Sequence, residues 1–317
     1  VRYFNTLAII AFLFNAHFSY GQTDTLSTPY LNGHRFVLNE FVNDPFMYTS
    51  FNLMMGSGIS STYNFPTIPI GDKEINIKNG DLLFGSLHAG FSQKINDWAM
   101  AYLNVGFTGR FGAEPASMLT QGLNSITGIS YGMKFNLLRT QKSTLSAGFR
   151  VKNYQVSVVN VLKYIKDVIE ENPTASINQN SNILAGNLGL SYAYAHNDLW
   201  GIYATGRYFF GDGVQPGDSV DEFNVALALD FDLSARTKIP IGLNMGFSSA
   251  TVPEFTLANV SKSTIYSFQI AYVGRDDLQI GLTTSFFEIP LEIEGFPRTR
   301  GIETAVSNIS MVMRYFF

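Results

Sequence analysis

The chain has 317 residues, a formal net charge of −4, no cysteine, and 15% charged against 14% aromatic residues. Weak acidity gives no footing to a nucleic-acid partner, and the missing thiols exclude disulfide staples and thiolate metal centres. A water-exposed surface carries about 25–35% Lys, Arg, Asp and Glu, so this composition is too poor in charge for an ordinary soluble domain.

The chain opens on "VRYFNTLAIIAFLFNAHFSYGQ", with Arg2 ahead of an apolar run from Leu7 to Phe14 and small residues Ser19 and Gly21 near its end. This pattern predicts a secretory signal over residues 1–21, cut near Gly21. The apolar run is shorter than the ~20 residues a membrane helix needs. No later stretch is long enough either. A chain low in charge yet without membrane helices satisfies its backbone in hydrocarbon only as a closed barrel.

Residues 22–46, which include "LNGHRFVLNEFVNDPF", show no strand alternation and are expected as a periplasmic segment or a plug in the lumen. From residue 47 onward apolar side chains recur at every second position. In "EFNVALALDFDL", Phe223, Val225, Leu227, Leu229 and Phe231 alternate with Asn224, Ala226, Ala228, Asp230 and Asp232. Alternation of this kind marks strands with one face in lipid and the other in a polar lumen.

Applied throughout, the test predicts twelve strands: 47–61, 82–93, 97–111, 125–137, 143–156, 182–196, 198–210, 222–234, 238–249, 263–274, 277–287 and 303–317. An extra pair hidden at 22–46 or 62–81 would make fourteen. Long connections, such as the one after residue 61, alternate with short ones such as "INDW", "LRTQKS", "HND" and "GRDD". That rhythm predicts a closed antiparallel transmembrane β-barrel over 47–317, with short periplasmic turns and long extracellular loops. Two loops carry helix signals, at 158–172 and around Pro115.

The ending "SNISMVMRYFF" places Ile309, Met311, Met313 and Tyr315 on the lipid side of the last strand, with Tyr315 and Phe317 at an aromatic girdle. It resembles the C-terminal signal read by the barrel-assembly machinery, which implies that machinery and the lipid of the outer membrane as partners.

By parity, the inward residues with chemistry are His88, Arg110, Arg150, Lys152, Tyr203 and Arg207, together with Lys134, Asp230, Asp232 and Arg314. The first strands' direction puts Arg110, Arg150, Lys152 and Arg207 toward the extracellular half and Lys134, Asp230, Asp232 and Arg314 nearer the periplasm. Two roles are open to these charges: mutual structural pairing, since an unpaired buried charge is costly, or an electropositive constriction for anionic solutes. Tyr48 and Phe209 are expected to narrow the lumen beside Tyr203.

Enzymatic motifs are missing. Ser86 and His88 share one face of a strand but stand about 7 Å apart along it, too far for a nucleophile and its base. No spaced histidine pair suggests a metal, no cofactor motif is present, and "DGVQPGDSVDE" matches no calcium loop.

In signal, strand pattern, loop rhythm and aromatic ending, nearly the whole chain resembles the Gram-negative outer-membrane β-barrel proteins. Within that class it is most similar to the hydrophobic-compound transporters of the long-chain fatty-acid and aromatic-hydrocarbon type, although their N-terminal Asn-Pro-Ala signature is not present, Asn43-Asp44-Pro45 being only a distant echo of it, and the strands counted are fewer than that family's usual fourteen. The resemblance implies an outer-membrane barrel that passively transfers a small solute. A structural barrel that anchors or serves secretion or gliding machinery is the alternative.

Overall fold

In a computed structural model of the chain, the described residues are 29–60, 68–70, 73–75, 82–111, 122–159, 164, 167–173, 175–212, 219–253, 260–290 and 303–317. The signal expected at 1–21, the helix expected around Pro115 and residues 213–218 of the acidic loop at 212–222 lie outside them. In the loop after residue 159, Tyr164 and residues 167–169 are helical.

A two-residue hairpin comes first, β1 (Tyr30–Leu31) with β2 (His34–Arg35). Its turn is Asn32-Gly33, with φ of 49° and 82°. Positive φ at both positions is the type I′ geometry for which Asn-Gly is the preferred sequence. The wall then begins with β3 (Ser50–Ser60). A second small hairpin, β4 (Ile68–Ile70) with β5 (Lys73–Ile75), sits in the first long connection. Thus both places suspected of hiding an extra pair do hold one, but neither pair enters the wall.

The wall continues through β6 (Leu82–Asn96), β7 (Ala99–Phe111), β8 (Gly122–Arg139), β9 (Ser143–Val159), β10 (Asn178–Ala195) and β11 (Trp200–Asp212). It is completed by β12 (Ser219–Asp232), β13 (Ile241–Pro253), β14 (Val260–Arg275), β15 (Leu278–Pro290) and β16 (Glu303–Phe316). Consecutive wall strands pair antiparallel, and β16 closes the barrel on β3, from Val306 opposite Ser60 to Phe316 opposite Ser50. The fold is the closed twelve-stranded barrel that the alternation predicts, with strand ends displaced by a few residues.

Side-chain parity explains why these segments form a barrel rather than a sandwich. Outward positions such as Leu188 and Leu282 are 55% and 50% exposed, while their inward neighbours Asn187 and Thr283 are 4% and 3% exposed. A continuous apolar belt on the outside is unstable in water and favourable in lipid. Where the pattern slips, a bulge accounts for it: between Asn136 and Leu138 the register shifts, and both Leu137 and Leu138 face outward. At the short-turn end an aromatic girdle assembles, with Phe91 stacked on Phe317 at 6.1 Å and Trp98 on Phe135 at 5.9 Å.

The largest apolar cluster lies inside the barrel, not between layers. Phe36, Val37 and Leu38 are each no more than 1% exposed, although they belong to no wall strand. They fit because inward wall positions are small there: Ala193, Ala195, Ala226 and Ala228 line one cluster with Phe36 and Leu38, and Val37 packs with Ala271 and Val273. At Gly201 a Cβ would come within 2.7 Å of Phe36 Cζ, so this position needs glycine to admit the ring. Residues 29–49 therefore rise from the short-turn end into the lumen and return to it before β3 starts.

Candidate functional site

An extended chain inside a barrel has no sheet partner, so its backbone groups need others. Wall side chains supply them. Asp230 on β12 accepts from Val37 N at 3.1 Å. Tyr203 on β11 donates to Val37 O at 3.1 Å and accepts from Asn39 N at 2.8 Å. Gln279 on β15 donates to Phe36 O at 2.7 Å, and Arg314 on β16 to Leu38 O at 3.3 Å. Asn244 on β13 joins the set, donating to Asp230 Oδ2 at 2.8 Å and Val37 O at 3.2 Å.

Charge fixes the same segment. His34 Nε2 lies 3.0 Å from Asp230 Oδ1, both side chains fully buried. Arg314 pairs with Glu40 at 2.6 Å, and Lys134 on β8 with Asp44 at 3.1 Å. Arg35 bonds the carbonyl of Val273 and pairs with Asp276 in the β14–β15 turn. Tyr48, edge-on to Phe316 at 5.4 Å, donates to Asp44 Oδ2 at 2.9 Å. Burial, helped by the Asp44 charge, pushes the Tyr48 phenol well above its usual range and keeps it a donor.

Above this filled region the lumen opens into a cavity of about 540 Å³, floored by residues 39–44 and walled by β3, β6 to β11, β15 and β16. Its character changes with height. Arg150 on β9 stands 5.1 Å from the Tyr102 ring and reaches Asn43 Oδ1 at 3.4 Å. Lys152 lies over Tyr154 at 5.7 Å and Phe209 at 5.1 Å, and Arg207 over the same Phe209 ring at 5.5 Å. Among the described residues, none of these three cations is paired with a carboxylate.

The ten residues singled out by parity divide between the two regions. Lys134, Tyr203, Asp230 and Arg314 bind the inner segment, and Asp232 accepts from Ser234 N at 2.9 Å in the β12–β13 connection. His88, Arg150 and Arg207 line the cavity. Lys152 is not among the residues that line it and lies instead against Tyr154 and Phe209, and Arg110 shares the inward face of β7 with Thr108. Tyr48 narrows the lumen from the inner segment, because β3 starts only at Ser50. Ser86 Oγ makes no hydrogen bond, so it is not joined to His88. Among the described residues no group of acidic or imidazole side chains is arranged to hold a metal.

Sequence reasoning missed His34, Asn39, Glu40 and Asp44 as partners of the wall, and Asn244 and Gln279 as partners of the segment. One signal was available: the Asn32-Gly33 pair is the preferred sequence of a two-residue hairpin turn. The long-range pairings have no local signature.

No protein-family model matches the chain, and no curated protein matches it. Solved structures do. An outer-membrane channel from Pseudomonas putida F1 is similar with a TM-score of 0.51 at 11% identity, over 89% of this chain and 99% of that one. A Pseudomonas aeruginosa FadL homologue gives 0.48 at 10% identity over 92% and 97% of the two chains. The translocator domain of the autotransporter NalP from Neisseria meningitidis gives 0.47 at 12% identity over 86% and 89%. At such identities the likeness is one of fold. The shared fold is a closed β-barrel, built in this chain from twelve antiparallel strands around a lumen that is filled at one end and open as a cavity above.

Proposed function

We propose that this protein is exported by its N-terminal signal, is inserted in the outer membrane through a C-terminal strand ending in Tyr315 and Phe317, and passes a small solute across that membrane. In this reading residues 29–49 are a plug. The cavity of about 540 Å³ above them is the entry chamber, and passage requires the plug to shift. The observation that carries the reading is the mode of attachment. The plug is held by polar side-chain bonds, among them Glu40 to Arg314 and Asp44 to Lys134, rather than by strand pairing with the wall. Side-chain bonds exchange with water individually, whereas a paired strand leaves only by breaking a ladder.

Planar bilayers test this. The parent should conduct in small, infrequent openings, and a Glu40→Gln/Asp44→Asn variant should open more often or more widely. Silence from both, with both correctly folded, would reject solute transfer and favour a structural barrel whose loops or inner segment serve partner proteins.

A further inference from the structure

The two halves of the lumen differ in what their charges lack. In the lower half every acidic group of the inner segment is committed: Glu40 to Arg314 at 2.6 Å and Asp44 to Lys134 at 3.1 Å. Arg150, Lys152 and Arg207 enter no ion pair among the described residues. The strand register gathers them. Asn187 on β10 stands opposite Arg150 on one side and opposite Phe209 on the other. Arg207 stands opposite Gly189, where a Cβ would come within 2.8 Å of its Cγ. With strands about 4.8 Å apart, β9 and β11 are separated by roughly 10 Å, so the cationic heads share one patch of wall.

Hydrogen bonding in this patch is incomplete, and the shortfall has one sign. The Asn187 side-chain nitrogen and Arg207 Nε are buried donors that meet no acceptor, and Asn187 is 4% exposed. Arg150 reaches only Tyr102 Oη at 3.5 Å and Asn43 Oδ1 at 3.4 Å, both at the limit of useful length. Aromatic faces shield the cations but carry no countercharge. Unsatisfied donors beside unpaired cations call for an acceptor with negative charge, and the guanidinium fork matches the two oxygens of a carboxylate or phosphate.

We propose that Arg150, Lys152, Arg207 and Asn187 form a binding site for the oxyanion of a small solute, with Tyr102 and Phe209 packing against its body. The site deepens the channel reading, on which its role in choosing the solute rests. A metal cation is repelled here, and a neutral apolar molecule leaves the donors unmet.

Titration of the purified full chain in lipid nanodiscs with sodium benzoate, inorganic phosphate and benzamide tests the site. Benzamide is the neutral counterpart of benzoate. Benzoate should bind saturably and at least about tenfold more tightly than benzamide, since a charge-assisted hydrogen bond is worth roughly ten- to 150-fold in affinity. Binding should weaken about tenfold or more in Arg150→Gln and in Arg207→Gln. Phosphate binding beside benzoate would show that the oxyanion alone suffices, and benzoate binding without phosphate that the aromatic contacts are needed as well. The site is rejected if neither anion binds, if benzamide matches benzoate, or if folded variants bind like the parent. Should the arginine variants fail to fold, Asn187→Ala removes one donor without altering charge, and the benzoate-to-benzamide ratio needs no variant. Binding without conductance would leave this site standing and reject the channel, whereas conductance without anion binding would do the reverse.

Discussion

The lower and upper lumen are built from the same wall strands, yet their polar groups do opposite things. In the lower third, Asp230, Tyr203, Asn244, Gln279 and Arg314 each bond the backbone or a charge of residues 34–44. Higher up, Arg150 and Arg207 line the cavity and Lys152 lies against Phe209 with Arg207; all three have aromatic neighbours, and among the described residues none is in an ion pair. Completed networks rigidify, because removing one member strands the others in a low dielectric. Incomplete ones destabilise the free barrel and favour a ligand of the missing sign. The lesson is that charge inside a barrel cannot be read by residue type: Arg314 and Arg207 both belong to wall strands and reach the lumen, and among the described residues only Arg314 is in an ion pair.

The strongest test of this contrast is Asp230→Ala. It removes the acceptor for Val37 N and Asn244 and the partner of His34, so denaturant unfolding in lipid should show a loss of about 3–5 kcal/mol. A loss below 1 kcal/mol would mean that the inner segment contributes little to the folded state.

Leu227→Arg probes the outer face of the same strand. Leu227 is 48% exposed and faces lipid, and an arginine near the midplane should cost about 2–4 kcal/mol. Ala226→Ser, on the inward side, should stay within about 1 kcal/mol. The reverse ranking would invert the parity on which the whole comparison depends.

Gly201→Ala sharpens the lower half further. The added methyl meets Phe36 at 2.7 Å and should destabilise by about 1–3 kcal/mol through overpacking. Combining it with Phe36→Leu should recover part of that loss if the ring contact is the cause. Full additivity of the two changes would show that they act separately.

The smallest effect is expected at the top. Lys152→Gln removes one of three mutually repelling cations, so stability measured at low salt should change by less than about 0.5 kcal/mol or rise. A loss comparable to that of Asp230→Ala would mean that Lys152 is part of a completed structural network, and the difference between the two halves would vanish.

Much of this architecture is written along the chain. Twelve stretches alternate apolar and small or polar residues, and the connections between them alternate long and short. Both patterns are local consequences of crossing a bilayer, because each strand must present one face to lipid wherever its partners lie. The exposed Leu227 and buried Ala228 follow from that rule alone. So does the inward aim of Arg150, Lys152, Arg207 and Arg314. What the sequence left open was the position of residues 22–46 and the partners of the inward charges. Those depend on contacts such as His34 with Asp230 and Glu40 with Arg314, separated by 196 and 274 residues. No periodicity encodes such a pairing. It exists only because closing the barrel brings β11 to β16 around one short segment, whose backbone uses the polar groups within its reach, while Arg150 and Arg207 above it meet aromatic rings and, among the described residues, no carboxylate within ion-pair distance.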